Sequence, residues 1–335
     1  MDQQRRTLRV GAAVIVCAVA LRLAGSGFFQ PVVQALGQPE VASFLVYLET
    51  GRVVRPSAAL SAAPTDETVP TTAGATVPPE SAVEKPIFTT DDTSLVGITY
   101  NCSYRPDIGT LLTQALTWDL TGDEPTVLIL HTHATESYTQ GDGENYEASS
   151  AYRTLDEGYN MLAIGDRVAE LLESGGITVL HDRTFHDYPS YSGSYAASRD
   201  TIAAYLAQYP SIQLILDLHR DAAEDSNGNQ IATTAEINGR SSAQLMLVVG
   251  SDAGGLTHPN WQENLAIALK LQAQLERQYP GLCRNMNFCS QRYNQDMLPG
   301  ALLVEVGAAG NTQAQALVAA EALAQSILSL ANGTA

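Results

Sequence analysis

Residues 128–138 read Leu-Ile-Leu-His-Thr-His-Ala-Thr-Glu-Ser-Tyr, so two of the chain's six histidines stand one residue apart at the end of an apolar run. Two further segments carry the same mixture of residue types. Asp217-Leu-His219-Arg220-Asp221 closes the run Ile212–Leu218, and Glu305 interrupts Ala301-Leu-Leu-Val-Glu-Val. Imidazole nitrogens and a carboxylate are donors that a zinc ion takes, and a second carboxylate can act as base toward a water beside it. A carboxylate inside a run as apolar as Leu-Leu-Val-Glu-Val-Gly is costly to bury without a partner. Each segment alone has a plainer reading: a hydrogen-bonded histidine at a strand end, a buried ion-pair network at 217–221, or a core Glu305 salt-bridged to Arg220. The spacing is no tight consecutive motif, so the elements that carry these residues must bring them together.

Hydrophobic patterning from about residue 120 onward alternates strands with helices. Strands are predicted at Thr126–Leu130, Ile177–Leu180, Ile212–Leu218, Gln244–Val249 and Ala301–Val306. Helices are predicted at Tyr159–Leu172, stopped by Gly175-Gly176, at Tyr195–Gln208, at Trp261–Gln278 before Pro280, and at Thr312–Leu330. Short apolar strands alternating with helices of this length predict an α/β fold of three layers: a mainly parallel central sheet with helices on both faces. Sites in such sheets form beyond the carboxyl ends of the strands. His131, His133, the 217–221 segment and Glu305 all sit at such ends, so they can converge.

The rest of the chain is of different character. Met1–Arg9 holds three arginines, Val10–Ala24 is apolar apart from Arg22, and no small-x-small cleavage site followed by a polar start comes after it. This pattern suits an uncleaved signal anchor over residues 1–28, with the N-terminus cytoplasmic and the body exported. Pro31–Glu49 has helical spacing and suits the membrane surface, while the Pro/Ala/Thr/Ser-rich stretch to residue 94 cannot bury a core and reads as a linker. Residues 95–335 are then expected to form the α/β domain that carries these candidate groups. The chain has 18 basic and 36 acidic residues; without residues 1–28 it keeps 14 and 35, a net −21. Such a body repels nucleic acid and anionic lipid surfaces. Cys17 lies in the apolar run, and Cys102, Cys283 and Cys289 lie outside it, too few for a disulfide framework. A 283–289 bridge and free thiols both remain open.

Six segments occur in one order: His-Thr-His-Ala-Thr-Glu-Ser-Tyr (131–138), Tyr-Arg-Thr-Leu-Asp-Glu-Gly-Tyr-Asn (152–160), His-Asp-Tyr-Pro-Ser-Tyr-Ser-Gly-Ser-Tyr (186–195), Asp-Leu-His-Arg-Asp (217–221), His-Pro-Asn-Trp-Gln-Glu-Asn-Leu (258–265) and Asn-Gln-Asp-Met-Leu-Pro-Gly-Ala-Leu-Leu-Val-Glu-Val-Gly (294–307). In this order the chain resembles the stage II sporulation protein P family from about residue 95 to 330. The resemblance implies a membrane-anchored, zinc-dependent peptidoglycan hydrolase with an N-acetylmuramoyl-L-alanine amidase-like fold. It implies amidase activity, with endopeptidase activity on cross-links beside it, and stage II sporulation proteins D and M as partners during engulfment. The expected location is the cell membrane, single-pass, with the catalytic domain between forespore and mother cell.

The same resemblance sorts the site. The first zinc ligand is His133 or His131, the acidic one Asp156 near the start of the first helix, and the last His219. Glu305 matches the carboxylate that activates water. Glu136 orients a histidine or binds metal or substrate. His131, if not a ligand, is a transition-state donor, and Arg220 binds substrate carboxylates. His181 reads as a solvated strand-end residue. His186 with Tyr188, Tyr191 and Tyr195 reads as the lining of a glycan or peptide groove, or as an Ω-loop. Two other readings compete: a tethered wall-binding or assembly module that has lost its chemistry, and a zinc carbohydrate deacetylase, which would want an Asp-rich first motif that is not present.

Overall fold

The computed structural model describes residues 88–141 and 145–333. The anchor expected over residues 1–28 and nearly all of the linker expected over 29–94 lie outside the described residues.

After a short turn at Thr90–Leu95, β1 (Ile98–Asn101) and α1 (Ile108–Thr113) lead into β2 (Val127–Leu130). A hairpin of β3 (Ala148–Ser150) and β4 (Arg153–Thr154) follows, then α2 (Met161–Ser174), β5 (Val179–His181) and α3 (Ser194–Gln208). β6 (Leu214–Asp221), a hairpin of β7 (Thr234–Ile237) and β8 (Arg240–Ala243), β9 (Leu245–Val249) and α4 (Trp261–Gln278) come next. β10 (Met286–Cys289), β11 (Ala301–Ala308) and α5 (Gln313–Asn332) complete the chain. Local chemistry sets the helix starts. Asn160 caps α2 by accepting from the Leu162 amide, and Thr312 with Gln315 forms a capping box at α5.

The central sheet has the order β1-β10-β9-β11-β6-β2-β5. Every pairing is parallel except β9 with β11, so the sheet joins two parallel blocks that run in opposite directions. β2 shows how both faces are covered. Val127 and Ile129 pack in the cluster that holds Ile164 and Val168 of α2 and Leu323 and Ile327 of α5. Leu128 and Leu130 pack on the other face with Ile202 of α3 and Ile215. This period-two alternation explains a strand that is apolar throughout.

α5 is long and apolar enough to cross a membrane by length and composition, with a mean hydropathy of 1.4, but it packs against α2, α4 and β8 as a core helix. Its apolarity is accounted for by that burial. Cys102, Cys283 and Cys289 are free thiols.

Candidate active site

The turn after β2 is held by Asp217 of β6. Its carboxylate accepts from the Thr132 amide at 2.8 Å and from the Thr132 hydroxyl at 2.7 Å. That clamp sends the two neighbouring histidines to different surroundings. His131 is fully buried, with Nδ1 2.9 Å from the Leu218 carbonyl and Nε2 2.9 Å from His181 Nε2. A carbonyl can only accept, so His131 Nδ1 carries the proton and Nε2 accepts from His181. Burial pushes the His131 pKa down to about 3, so the ring is neutral. Gly165 of α2 makes room for this pair, since a Cβ there would come within 2.6 Å of His131 Nε2.

His133 points elsewhere. Its Nδ1 is buried without a hydrogen bond, and its ring meets that of His219 edge-on, 5.2 Å between centroids at 85°. Burial lowers its pKa to about 4 against the pull of Glu136. His219 lies in β6 with Nδ1 3.6 Å from Glu136 Oε2 and Nε2 2.9 Å from Asp217 Oδ1, the latter too poorly aligned for a hydrogen bond. Burial opposes protonation of His219, but Asp217 and then Glu136 outweigh it and lift the pKa well above the ordinary imidazole value. Glu305 of β11 is the register partner of His219, so the two side chains leave the same face of the sheet. Its Oε2 is buried without a partner, and burial pushes its pKa up to about 8.

Glu136 is the charged centre of the cluster. Oε1 receives Arg153 at 3.2 Å, and Oε2 receives the Arg220 backbone amide at 3.2 Å. Burial works against its ionisation, yet Arg220 and then His219 hold the carboxyl well below the usual carboxylate range. Arg153 also bonds Asp187 at 2.6 Å and the Thr135 hydroxyl at 3.0 Å, tying the loop before α3 to the loop after β2.

The structure thus brings His133, Glu136, His219 and Glu305 together. It does not bring Asp156 to them: Asp156 is exposed, and its carboxylate accepts from the Gly158 amide in the turn before α2. The acidic side chain beside the histidines is Glu136. Arg220 is buried, with Nε on the Ser137 carbonyl at 3.0 Å and Nη2 on the Tyr152 carbonyl at 2.8 Å. Its guanidinium is engaged in pinning two loops, where substrate binding was expected. His131 has both nitrogens occupied, and His181 is its partner, where a solvated residue was expected. Among the described residues, no group of three His, Cys, Asp or Glu side chains is arranged to hold a metal ion as it stands.

Two tyrosines of the 186–195 segment, read from the sequence as a groove lining or an Ω-loop, lie against the histidines. Tyr195 lies edge-on to His133 at 5.5 Å and parallel to His219 at 6.5 Å, and burial lifts its phenol pKa well above 10.0. Tyr191 stacks on His133 at 4.5 Å and 14°, with the Arg153 guanidinium 5.0 Å from its ring. Asp217 and Arg153 carried a signal only as neighbours of better candidates.

A family model described as Stage II sporulation protein P matches residues 64–328. The stage II sporulation protein P of Bacillus subtilis (strain 168) is 34% identical over 222 residues, 61% of this chain and 50% of that protein, so the chain spans about half the length of this curated relative. Among solved structures, similarity is found to the N-acetylmuramyl-L-alanine amidase Ami1 of Mycobacterium smegmatis (TM-score 0.37, 10% identity, 64% of this chain and 99% of that one). It is also found to the N-acetylmuramoyl-L-alanine amidase of Clostridium difficile 630 (TM-score 0.35, 16% identity, 62% and 95%). A third is AmiC2 of Nostoc punctiforme (TM-score 0.34, 15% identity, 63% and 96%).

Proposed function

Because the chain belongs to the stage II sporulation protein P family, we propose that it is a zinc-dependent peptidoglycan hydrolase of sporulation that cuts the amide between N-acetylmuramic acid and L-alanine. In this reading residues 1–28 anchor it in the membrane, residues 29–94 span the distance to the wall, and residues 95–335 do the chemistry. Its partners are the peptidoglycan itself and stage II sporulation proteins D and M.

One observation carries the reading: His133 Nδ1 and Glu305 Oε2, buried polar atoms without partners, lie on either side of the His219 ring. An unsatisfied buried polar group costs about 1–3 kcal/mol. Such groups collected at one sheet end fit a site that awaits a ligand. An imidazole with an unpaired Nδ1 at His133, the His219 imidazole between Asp217 and Glu136, and the buried Glu136 carboxylate match the donor types a zinc ion takes. His133, Glu136 and His219 would hold the ion, and bound there it would polarise the scissile carbonyl and acidify the attacking water.

The protein's own groups have distinct tasks. Glu305, with its pKa near 8 and an unbonded Oε2, takes the proton of the attacking water and returns it to the leaving amine. Asp217 holds both the Thr132 turn and the His219 ring. The Tyr195 phenol, kept protonated by burial, is a hydrogen-bond donor facing the same cluster. Digestion of purified sacculi by the purified protein, read by mass spectrometry, tests the reading. Release of intact stem peptides with L-alanine at their N-terminus is the expected product, together with about one zinc per chain by elemental analysis. Products cut only within the stem would replace amidase by endopeptidase, and an undigested sacculus would end the proposal.

A further inference from the structure

We propose that Tyr191 is a displaceable cover over His133 and, with Tyr188, the surface on which a neutral N-acetylated sugar ring of the substrate stacks. This rests on the peptidoglycan reading and adds to it which half of the substrate lies on this side of the site.

The loop Tyr188–Gly193 is exposed throughout, between buried Asp187 and buried Ser194. Both ends are fastened. The Asp187 carboxylate accepts from Arg153 at 2.6 Å and from the Thr135 hydroxyl at 2.5 Å, and the Ser194 hydroxyl donates to the Tyr191 carbonyl at 2.9 Å. Between the fastenings, Tyr188 is 51% exposed and Tyr191 49%, although Tyr191 also lies flat against His133, which is itself 6% exposed. Tyr191 is thus half in water while its ring covers a buried histidine and has the Arg153 guanidinium 5.0 Å from its centroid. Anything that reaches His133 from solvent on this side must move the Tyr191 ring, and the short exposed loop allows that without disturbing Asp187.

Charge decides what the surface takes. The nearest cation, Arg153, is already paired with two carboxylates, Glu136 at 3.2 Å and Asp187 at 2.6 Å. No net positive charge is left for the carboxylates of a stem peptide. A pyranose ring offers the complement, since its faces present C–H groups to the electron-rich face of an aromatic ring while its hydroxyls and acetamide stay in water. The acyl side of the scissile amide carries such a ring, and the amine side carries the charged peptide.

The test uses the full chain and two probes, a neutral β-1,4-linked N-acetylglucosamine tetramer and a free stem pentapeptide, titrated by calorimetry. Tyr191→Ala is expected to weaken tetramer binding about three- to tenfold while pentapeptide affinity holds, and Tyr191→Phe to keep most of the tetramer affinity. Tyr188→Ala, on a ring half in solvent, gives the same comparison should Tyr191→Ala fold poorly. No tetramer binding by the wild type, unchanged tetramer affinity in both alanine variants, or equal loss of both probes in Tyr191→Ala overturns the inference. Digestion of sacculi by the same wild-type preparation separates the two claims. Digestion without tyrosine-dependent sugar binding sinks only this inference, and tyrosine-dependent sugar binding without digestion sinks only the hydrolase.

Discussion

Glu305 of β11 and His219 of β6 are register partners on adjacent parallel strands, so a carboxyl with a raised pKa and an imidazole with a raised pKa share one face of the sheet. Burial drives Glu305 upward and His219 pulls it partly back, which leaves a base that changes protonation near neutrality. The strands fix this pair, whereas His133 and Glu136 reach it from the turn after β2.

Glu305→Gln keeps the shape of the side chain and removes its ability to take a proton. General-base assistance is worth about a hundred- to ten-thousand-fold, so muropeptide release should fall by at least about a hundredfold with zinc content unchanged. His219→Ala should lose zinc and activity together. Full turnover by the glutamine variant would remove Glu305 from the mechanism.

Glu136 and Asp156 divide cleanly in the structure, one buried among Arg153, Arg220 and His219 and the other in water. Zinc content measured after dialysis should drop in Glu136→Gln and stay at the wild-type level in Asp156→Asn. The reverse result would restore Asp156 as the acidic ligand.

Arg220 holds the Ser137 and Tyr152 carbonyls and faces Glu136. Its removal leaves a buried carboxylate short of a cation, a change worth roughly 3–5 kcal/mol. Arg220→Met should therefore lower stability by about that much in urea titrations. Arg183→Met, which removes a solvent-exposed partner of Asp166 and Glu157, should change it by less than about 1 kcal/mol. Equal effects would refute the pinning role.

Lys270 of α4 is buried, with Nζ 2.8 Å from the Leu111 carbonyl, and burial lowers its pKa from 10.5 to about 8. Between pH 8 and 10.5 the unfolded chain therefore holds this proton more tightly than the folded one. Stability gains from this group as pH rises through that window, up to about 3 kcal/mol. In Lys270→Met the gain should be absent, and the difference between the two proteins should shift steadily in favour of wild type from pH 8 to 10. A pH-independent difference would mean that the ammonium is solvated in the folded state.

Apolar periodicity by itself determines most of the strands and helices of the α/β domain. The helix predicted at Trp261–Gln278 is found with those bounds, and the strand predicted at Ala301–Val306 runs on to Ala308. β1 and β10 left no comparable mark, because Ile98-Thr-Tyr-Asn and Met286-Asn-Phe-Cys are short and mix polar with apolar positions. The antiparallel step between β9 and β11 was equally illegible, since a strand's residues carry no record of the direction of its neighbour. At the site, sequence placed His133, His219 and Glu305 at strand ends, which α/β topology gathers on one side of the sheet. Which carboxylate joins them depended on the path of a turn. Asp217 clamps Thr132, and the turn beyond it carries Glu136 inward, while the Asp156 carboxylate closes its own turn with Gly158 in solvent. Residue type and spacing fix which groups are available; the competing hydrogen bonds that choose among them exist only once distant segments have met.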